Sequence, residues 1–195
     1  MHPLLLASTS SSRYRMLAGA GVAVEVVAPE VNEDPGGRAD PAALASHLAR
    51  RKAGAVAARH PDRWVLGADQ VGTLLGADAV PFGKPRDTAH HLALLQSLRG
   101  RTHALVTGFA LLGPGIEHVE TARTRLHVRG DLTDAELRAY VETGEGTYCA
   151  GGYAIEGRGA FLFAAVEGDF FNVLGLPLLR VLDALRAHGW RFGDG

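Results

Sequence analysis

Cysteine is nearly missing from this chain: Cys149 is the only one in 195 residues. That excludes an internal disulfide framework and fits a reducing compartment. Long apolar runs are missing too, so a membrane span is not expected, although 47% hydrophobic residues can build a real core. Neither sign of charge dominates. A formal net charge of −1 argues against a nucleic-acid or membrane partner held by bulk charge. Met1-His2-Pro3 and the short apolar run after it lack the basic n-region and long h-region of a secretory leader. The expectation is a soluble, cytoplasmic, single domain over residues 1–195, with room for two small lobes around a cleft. Lysine is scarce as well. Of 20 basic side chains only Lys52 and Lys84 are lysines, which marks both positions for attention.

Several catalytic signatures are absent. There is no Gly-x-x-x-x-Gly-Lys-Ser/Thr loop, no Gly-x-Ser-x-Gly elbow and no His-Glu-x-x-His zinc motif. The nine histidines show no ligand spacing.

What is present begins at the N-terminus. The apolar run Leu4-Leu5-Leu6-Ala7 leads into Ser8-Thr9-Ser10-Ser11-Ser12-Arg13, and a helical pattern follows. A strand feeding hydroxyls into a helix start makes an anion site, with backbone N–H groups, the helix dipole and an arginine converging. A simple N-cap is the plainer reading, but one cap needs one hydroxyl and five stand here.

Strand and helix patterns then alternate. The spacing predicts a helix over Arg13–Ala20 stopped by Gly21, a strand over Val22–Val27 and an acidic loop over Ala28–Ala39. Asp40-Pro41 opens a helix reaching about Arg59. Trp64–Leu75 reads as a strand turned by Gly76-Ala77-Asp78, and Asp87 caps a helix through Leu98. Thr102–Leu112 and Glu117–Arg129 read as a long hairpin, and Thr133 with Glu136 as a capping box. Strands are expected near Tyr153–Ile155 and over Phe161–Val166, and a helix over Pro177–His188. The fold class is α/β, with a mixed central sheet and flanking helices.

Four features could carry chemistry. Lys52 falls within the apolar stripe Ala45, Leu48, Ala49, Val56; it either snorkels to water or reaches a polar cleft that holds an anion. Asp69 interrupts the apolar run Val65–Gly72 between Gly67 and Gly72, as a metal ligand, a general base or a bulge residue. Lys84 sits in the turn Phe82-Gly83-Lys84-Pro85, either solvated or brought back toward Asp69 by the hairpin return. Glu30, Glu33 and Asp34 form an acidic loop, solvated or metal-binding. Arg123, Arg125, His127 and Arg129 alternate along one strand as a basic face, read as solvated rather than nucleic-acid binding.

In sequence order these pieces resemble the Maf family of nucleoside triphosphate pyrophosphatases. The resemblance is carried by Ala7-Ser8-Thr9-Ser10 with Arg13, Val31-Asn32-Glu33, Arg51-Lys52-Ala53, Gly67-Ala68-Asp69-Gln70-Val71 and Gly83-Lys84-Pro85. Val106-Thr107-Gly108, Gly151–Gly157 and Asn172-Val173-Leu174-Gly175-Leu176-Pro177-Leu178 complete it. It implies two lobes around a deep cleft, similar to inosine triphosphate pyrophosphatases. It also implies hydrolysis of a nucleoside triphosphate to the monophosphate and pyrophosphate with a divalent metal, Mg²⁺ or Mn²⁺. By resemblance, Ser8, Ser10, Arg13, Lys52 and Lys84 hold the triphosphate, Asp69 is the general base, and Glu33 and Asp69 hold the metal. Ser12, Gln70 and Glu156 occupy the positions that sort substrates. Here Gln70 and Glu156 look like the branch acting on 7-methyl-GTP rather than on dTTP and UTP. A homodimer is implied in the same way. The alternative function is a non-catalytic nucleotide sensor regulating septum formation.

Overall fold

A computed structural model describes residues 2–32, 40–75 and 81–193. The expected acidic-loop residue Glu33 and the turn Gly76-Ala77-Asp78 lie outside the described residues. The first strand, β1, is Leu4–Ala7, all four residues buried. Helix α1 is Ser11–Gly19. It starts two residues before the expected Arg13, because Ser10 takes the cap and accepts from the Arg13 backbone N–H. Strand β2 is Val24–Val26, and helix α2 is Pro41–Ala57, capped by Asp40 accepting from Ala43 N at 2.7 Å.

Strand β3 is Val65–Leu74, β4 is Pro81–Phe82, and α3 is Thr88–Leu98 behind the Asp87 cap. The hairpin is β5, Thr102–Gly113, and β6, Ile116–Val128. Helix α4, Asp134–Glu142, carries the complete Thr133–Glu136 capping box. After a 3₁₀ turn over Arg158–Leu162 come β7, Phe163–Glu167, the short helix α5, Phe170–Val173, and α6, Leu178–Ala187.

One seven-stranded mixed sheet runs through the molecule in the order β2-β1-β3-β5-β6-β7, with β4 also on β3. Strand β1 is parallel to β2 and β3, and the later pairings are antiparallel. Helix α2 covers one face. Its Ala49 and Ala53 pack with Leu5, Ala7, Val65 and Ala110, all fully buried. Gly67 and Gly108 on β3 and β5 let it approach: a Cβ at Gly67 would stand 2.4 Å from Ala49 O, and one at Gly108 2.5 Å from the Ala45 carbonyl carbon. Helices α1 and α6 cover the opposite face of the β1–β3–β5 region, around Leu6, Leu17, Leu66, Phe109 and Leu176. Each such buried side chain contributes about 1.5–3 kcal/mol relative to exposure. A separate cluster, Leu95, Leu98, Leu105, Leu126, Leu137, Tyr153 and Leu162, gives the second lobe its own core.

Two expectations fail locally. Tyr153–Ile155 is a turn-rich segment, not a strand: Gly151 and Gly152 both take positive φ, and Tyr153 is buried against His103. The strand expected from Phe161 begins at Phe163, because the preceding residues wind into the 3₁₀ turn. The basic face of β6 is laced with acids: Arg125 and His127 reach Glu167, and Arg129 reaches Asp131. Among the described residues no helix is long and apolar enough to cross a membrane.

Candidate active site

The register of β3 defines the site. On one edge, β1 pairs with β3 only as far as Ala7 opposite Gly67. The same edge is next covered by β4, where Phe82 lies opposite Gly72. Between them, among the described residues, Ala68–Val71 has no strand on that edge, while β5 pairs the other edge throughout. Gly67 to Gly72 spans about 17 Å of strand. A crevice beyond the carboxyl end of a strand, where the sheet topology changes, is where open α/β sheets bind ligands.

Each side of this gap carries one of the expected elements. Strand β1 delivers Ser8-Thr9-Ser10 and the N-terminus of α1 into it. Strand β4 runs antiparallel to β3, so the chain after Phe82 returns along β3 toward Gln70 and brings Gly83 and the exposed Lys84 to the gap's other side. Gly151 N donates to Gly83 O at 3.1 Å, tying the lysine turn to the glycine-rich segment that carries Glu156.

Asp69 and Lys52 meet in the middle. Odd-numbered β3 residues face α2, and Lys52 stands on the covering face of that helix. Lys52 Nζ donates to Asp69 Oδ1 at 2.5 Å, with both side chains nearly buried. The lysine therefore does not snorkel. Its charge is matched inside the fold by a carboxylate held on a straight strand, and no bulge is needed to explain Asp69.

The hydroxyl loop is pre-formed. Ser8 is buried, and its Oγ accepts from Ser10 N and from Arg13 Nη1, both at 3.2 Å. Arg13 Nε donates to Gly175 O at 2.8 Å. The guanidinium is thus aimed by two anchors, one at the end of β1 and one in the loop before α6. Ser12 is half-buried in the first turn of α1, and Glu156 is exposed.

Gln70 points the other way. As the next residue on β3 it lies on the face opposite Asp69, where its Nε2 donates to Thr107 Oγ1 at 3.0 Å and to Asn172 O at 2.6 Å. Asn172 is fully buried, with its Nδ2 donating to Leu105 O and Thr124 Oγ1. These contacts were not foreseen from the sequence. The available signal was a polar residue inside the run Phe170-Phe171-Asn172-Val173-Leu174. His91 and His103 were also missed, since neither has ligand spacing. His91 Nε2 lies 2.5 Å from Gly152 O, and His103 Nε2 lies 2.5 Å from the Tyr153 hydroxyl. Burial holds the His103 pKa down at about 4, with His127 adding to the effect. Cys149 is half-buried, and burial pushes its thiol up.

The chain is similar to several known proteins. A dTTP/UTP pyrophosphatase of Myxococcus xanthus is 43% identical over 194 residues, covering 96% of this chain and 95% of the relative. A dTTP/UTP pyrophosphatase of Koribacter versatilis is 41% identical, covering 95% and 94%. A nucleoside triphosphate pyrophosphatase of Rhodopseudomonas palustris is 41% identical, covering 94% and 93%. The solved structure of the Staphylococcus aureus Ham1 protein shares the fold at a TM-score of 0.50 and 15% identity, covering 66% of this chain and 73% of that one. The sequence profile described as Maf-like protein matches residues 3–188, and with these relatives it shows that the chain belongs to the Maf-like family.

Proposed function

We propose that the gap beside Asp69 binds a nucleoside triphosphate and that water, activated there, attacks the α-phosphorus to release pyrophosphate and the monophosphate. One observation carries the reading: a carboxylate and an ammonium 2.5 Å apart in the break between β1 and β4, with a hydroxyl–arginine loop on one side and a lysine turn on the other. Ser8, Ser10, Arg13, Lys52 and Lys84 are donors and cations suited to phosphate oxygens. Asp69 is the group that takes the proton from the attacking water. The three cations offset the charge that builds on the phosphate chain as the bond to pyrophosphate breaks.

A hard divalent cation fits this donor set, because Mg²⁺ takes one or two carboxylates and completes its shell with water and substrate phosphates. Asp69 is a carboxylate placed at the gap, and Glu33 is the second ligand we propose with it. When bound, the metal would neutralise phosphate charge.

The relatives named as dTTP/UTP pyrophosphatases make dTTP and UTP the first substrates to test. A second reading, 7-methyl-GTP, is favoured by Glu156, an exposed carboxylate on the segment hydrogen-bonded to the lysine turn. A carboxylate only accepts, and a guanine edge offers N1 and N2 donors. The test is pyrophosphate release from dTTP, UTP and 7-methyl-GTP with Mg²⁺ or Mn²⁺, for the wild type and Asp69→Asn. Metal-dependent release that Asp69→Asn abolishes with the fold intact supports the enzyme. Wild-type rates in Asp69→Asn would remove Asp69 as the base, and nucleotide binding without turnover would favour the sensor. Faster turnover of dTTP or UTP than of 7-methyl-GTP would rule out the guanine reading.

A further inference from the structure

Gln70 stands next to Asp69 yet has no free donor for a substrate base. Its amide nitrogen carries two hydrogens, and both are taken, by Thr107 Oγ1 and by Asn172 O. The orientation is fixed chemically: Asn172 O is a carbonyl that can only accept, so the nitrogen must face it. Where this grip leads is the informative part. The same Asn172 O also accepts from Gly175 N at 3.0 Å, closing the tight turn Asn172–Gly175. The turn needs Gly175, whose φ is +104°. Its outgoing carbonyl, Gly175 O, receives Arg13 Nε at 2.8 Å. The other end of the turn is fixed by the fully buried Asn172 amide, bonded to Leu105 O and Thr124 Oγ1 across β5 and β6.

A continuous path therefore runs from Gln70 through the Asn172–Gly175 turn to Arg13, and from Arg13 to Ser8. We propose that Gln70 is a positioning residue for Arg13: it holds the turn whose carbonyl aims the guanidinium, and so sets the grip on the triphosphate. Asn172 is the hub of the same device. This deepens the reading of the site as a triphosphate cleft, and rests on it.

The test uses the full chain and inorganic tripolyphosphate, a ligand without a base, measured by calorimetry. Gln70→Met keeps the length of the side chain and removes its donors. It should weaken tripolyphosphate binding about fivefold to tenfold, the worth of one well-made hydrogen bond. The value of kcat/KM should fall by at least that factor and by the same factor for UTP and 7-methyl-GTP, because the guanidinium grips the phosphates that both share. Gly175→Ala disturbs the turn from its other side, since the new Cβ would lie 3.7 Å from Arg13 Nε on a strained backbone. It should reproduce the same pattern. Unchanged tripolyphosphate affinity in Gln70→Met, or an altered UTP to 7-methyl-GTP ratio with that affinity intact, would overturn the proposal in favour of direct base reading. A wild type that bound no tripolyphosphate would also overturn it. The binding arm needs no turnover, so a wild type that bound tripolyphosphate but released no pyrophosphate would defeat the pyrophosphatase reading while this one was still decided.

Discussion

Lys52 and Asp69 show how far single residues can be read. A lysine on an apolar helical stripe and an aspartate in an apolar strand are each out of place, and the structure makes each the reason for the other. Neither residue alone says so, because the pairing depends on how α2 lies across β3. A buried pair costs desolvation twice, and removing one partner leaves the other charge stranded. Lys52→Met should therefore lower the unfolding free energy by about 3 kcal/mol. The double variant Lys52→Met with Asp69→Asn should recover most of that loss while remaining inactive. Urea unfolding of the wild type and both variants checks this, and a double variant no more stable than Lys52→Met would show that the pair is not the source of the cost. Gln70 teaches the opposite lesson. Its neighbour in sequence is Asp69, but strand alternation sends it to the other face, and its partner Asn172 lies more than a hundred residues along the chain.

At the scale of elements, caps and periodicity carried most of the information. Asp40, Asp87 and Thr133 each cap the helix expected of them, because a short acceptor before an apolar repeat is a local signal. The misread segments are those decided by distant contacts. Tyr153 and Ile155 are themselves strand formers, yet His103 and Phe163 hold the Tyr153 ring while the glycines before it turn the chain. The glycines at helix–sheet crossings also act at this scale. At Gly67 an added Cβ would meet backbone atoms of α2, Ala49 O and Ala53 N, which cannot swing aside as a side chain can. Gly67→Ala should push α2 off β3, and Lys52 rides on that helix. The expected result is a loss of about 1–3 kcal/mol together with a large fall in kcat. Thermal unfolding and turnover on the same sample check it; a destabilised protein with undiminished kcat would separate the crossing from the chemistry.

Across the whole molecule, the sequence made the mixed sheet and its flanking helices legible, while the gap depends on where β1 and β4, from separate parts of the chain, stop pairing along β3. The second hydrophobic cluster contains Tyr153, two residues beyond the Gly151 N–Gly83 O bond to the lysine turn, and it surrounds a titratable group. His103 is fully buried among Phe82, Tyr153 and Phe163, and among the described residues its Nδ1 has no hydrogen-bond partner. A charged ring there would bury an unpaired N–H, which is why the folded pKa is about 4 against 6.5 unfolded. Since the folded pKa is the lower one, the unfolded chain binds more protons between these values. The contribution is fully present above about pH 6.5 and is lost as pH falls toward 4, a change on the order of 3 kcal/mol. A variant that cannot titrate, His103→Gln, isolates this from the carboxylates that also respond to acid. Wild type should exceed His103→Gln in unfolding free energy at pH 7, and that margin should shrink or reverse by pH 4. Urea titrations of both proteins at several pH values would read the margin directly, and a margin independent of pH would mean that His103 does not set the acid sensitivity of the second lobe. The same loosening would reach the site, because Tyr153 follows the glycines that hydrogen-bond the lysine turn and His91. Triphosphate affinity should therefore weaken ahead of global unfolding as pH falls through this window in the wild type, and less so in His103→Gln.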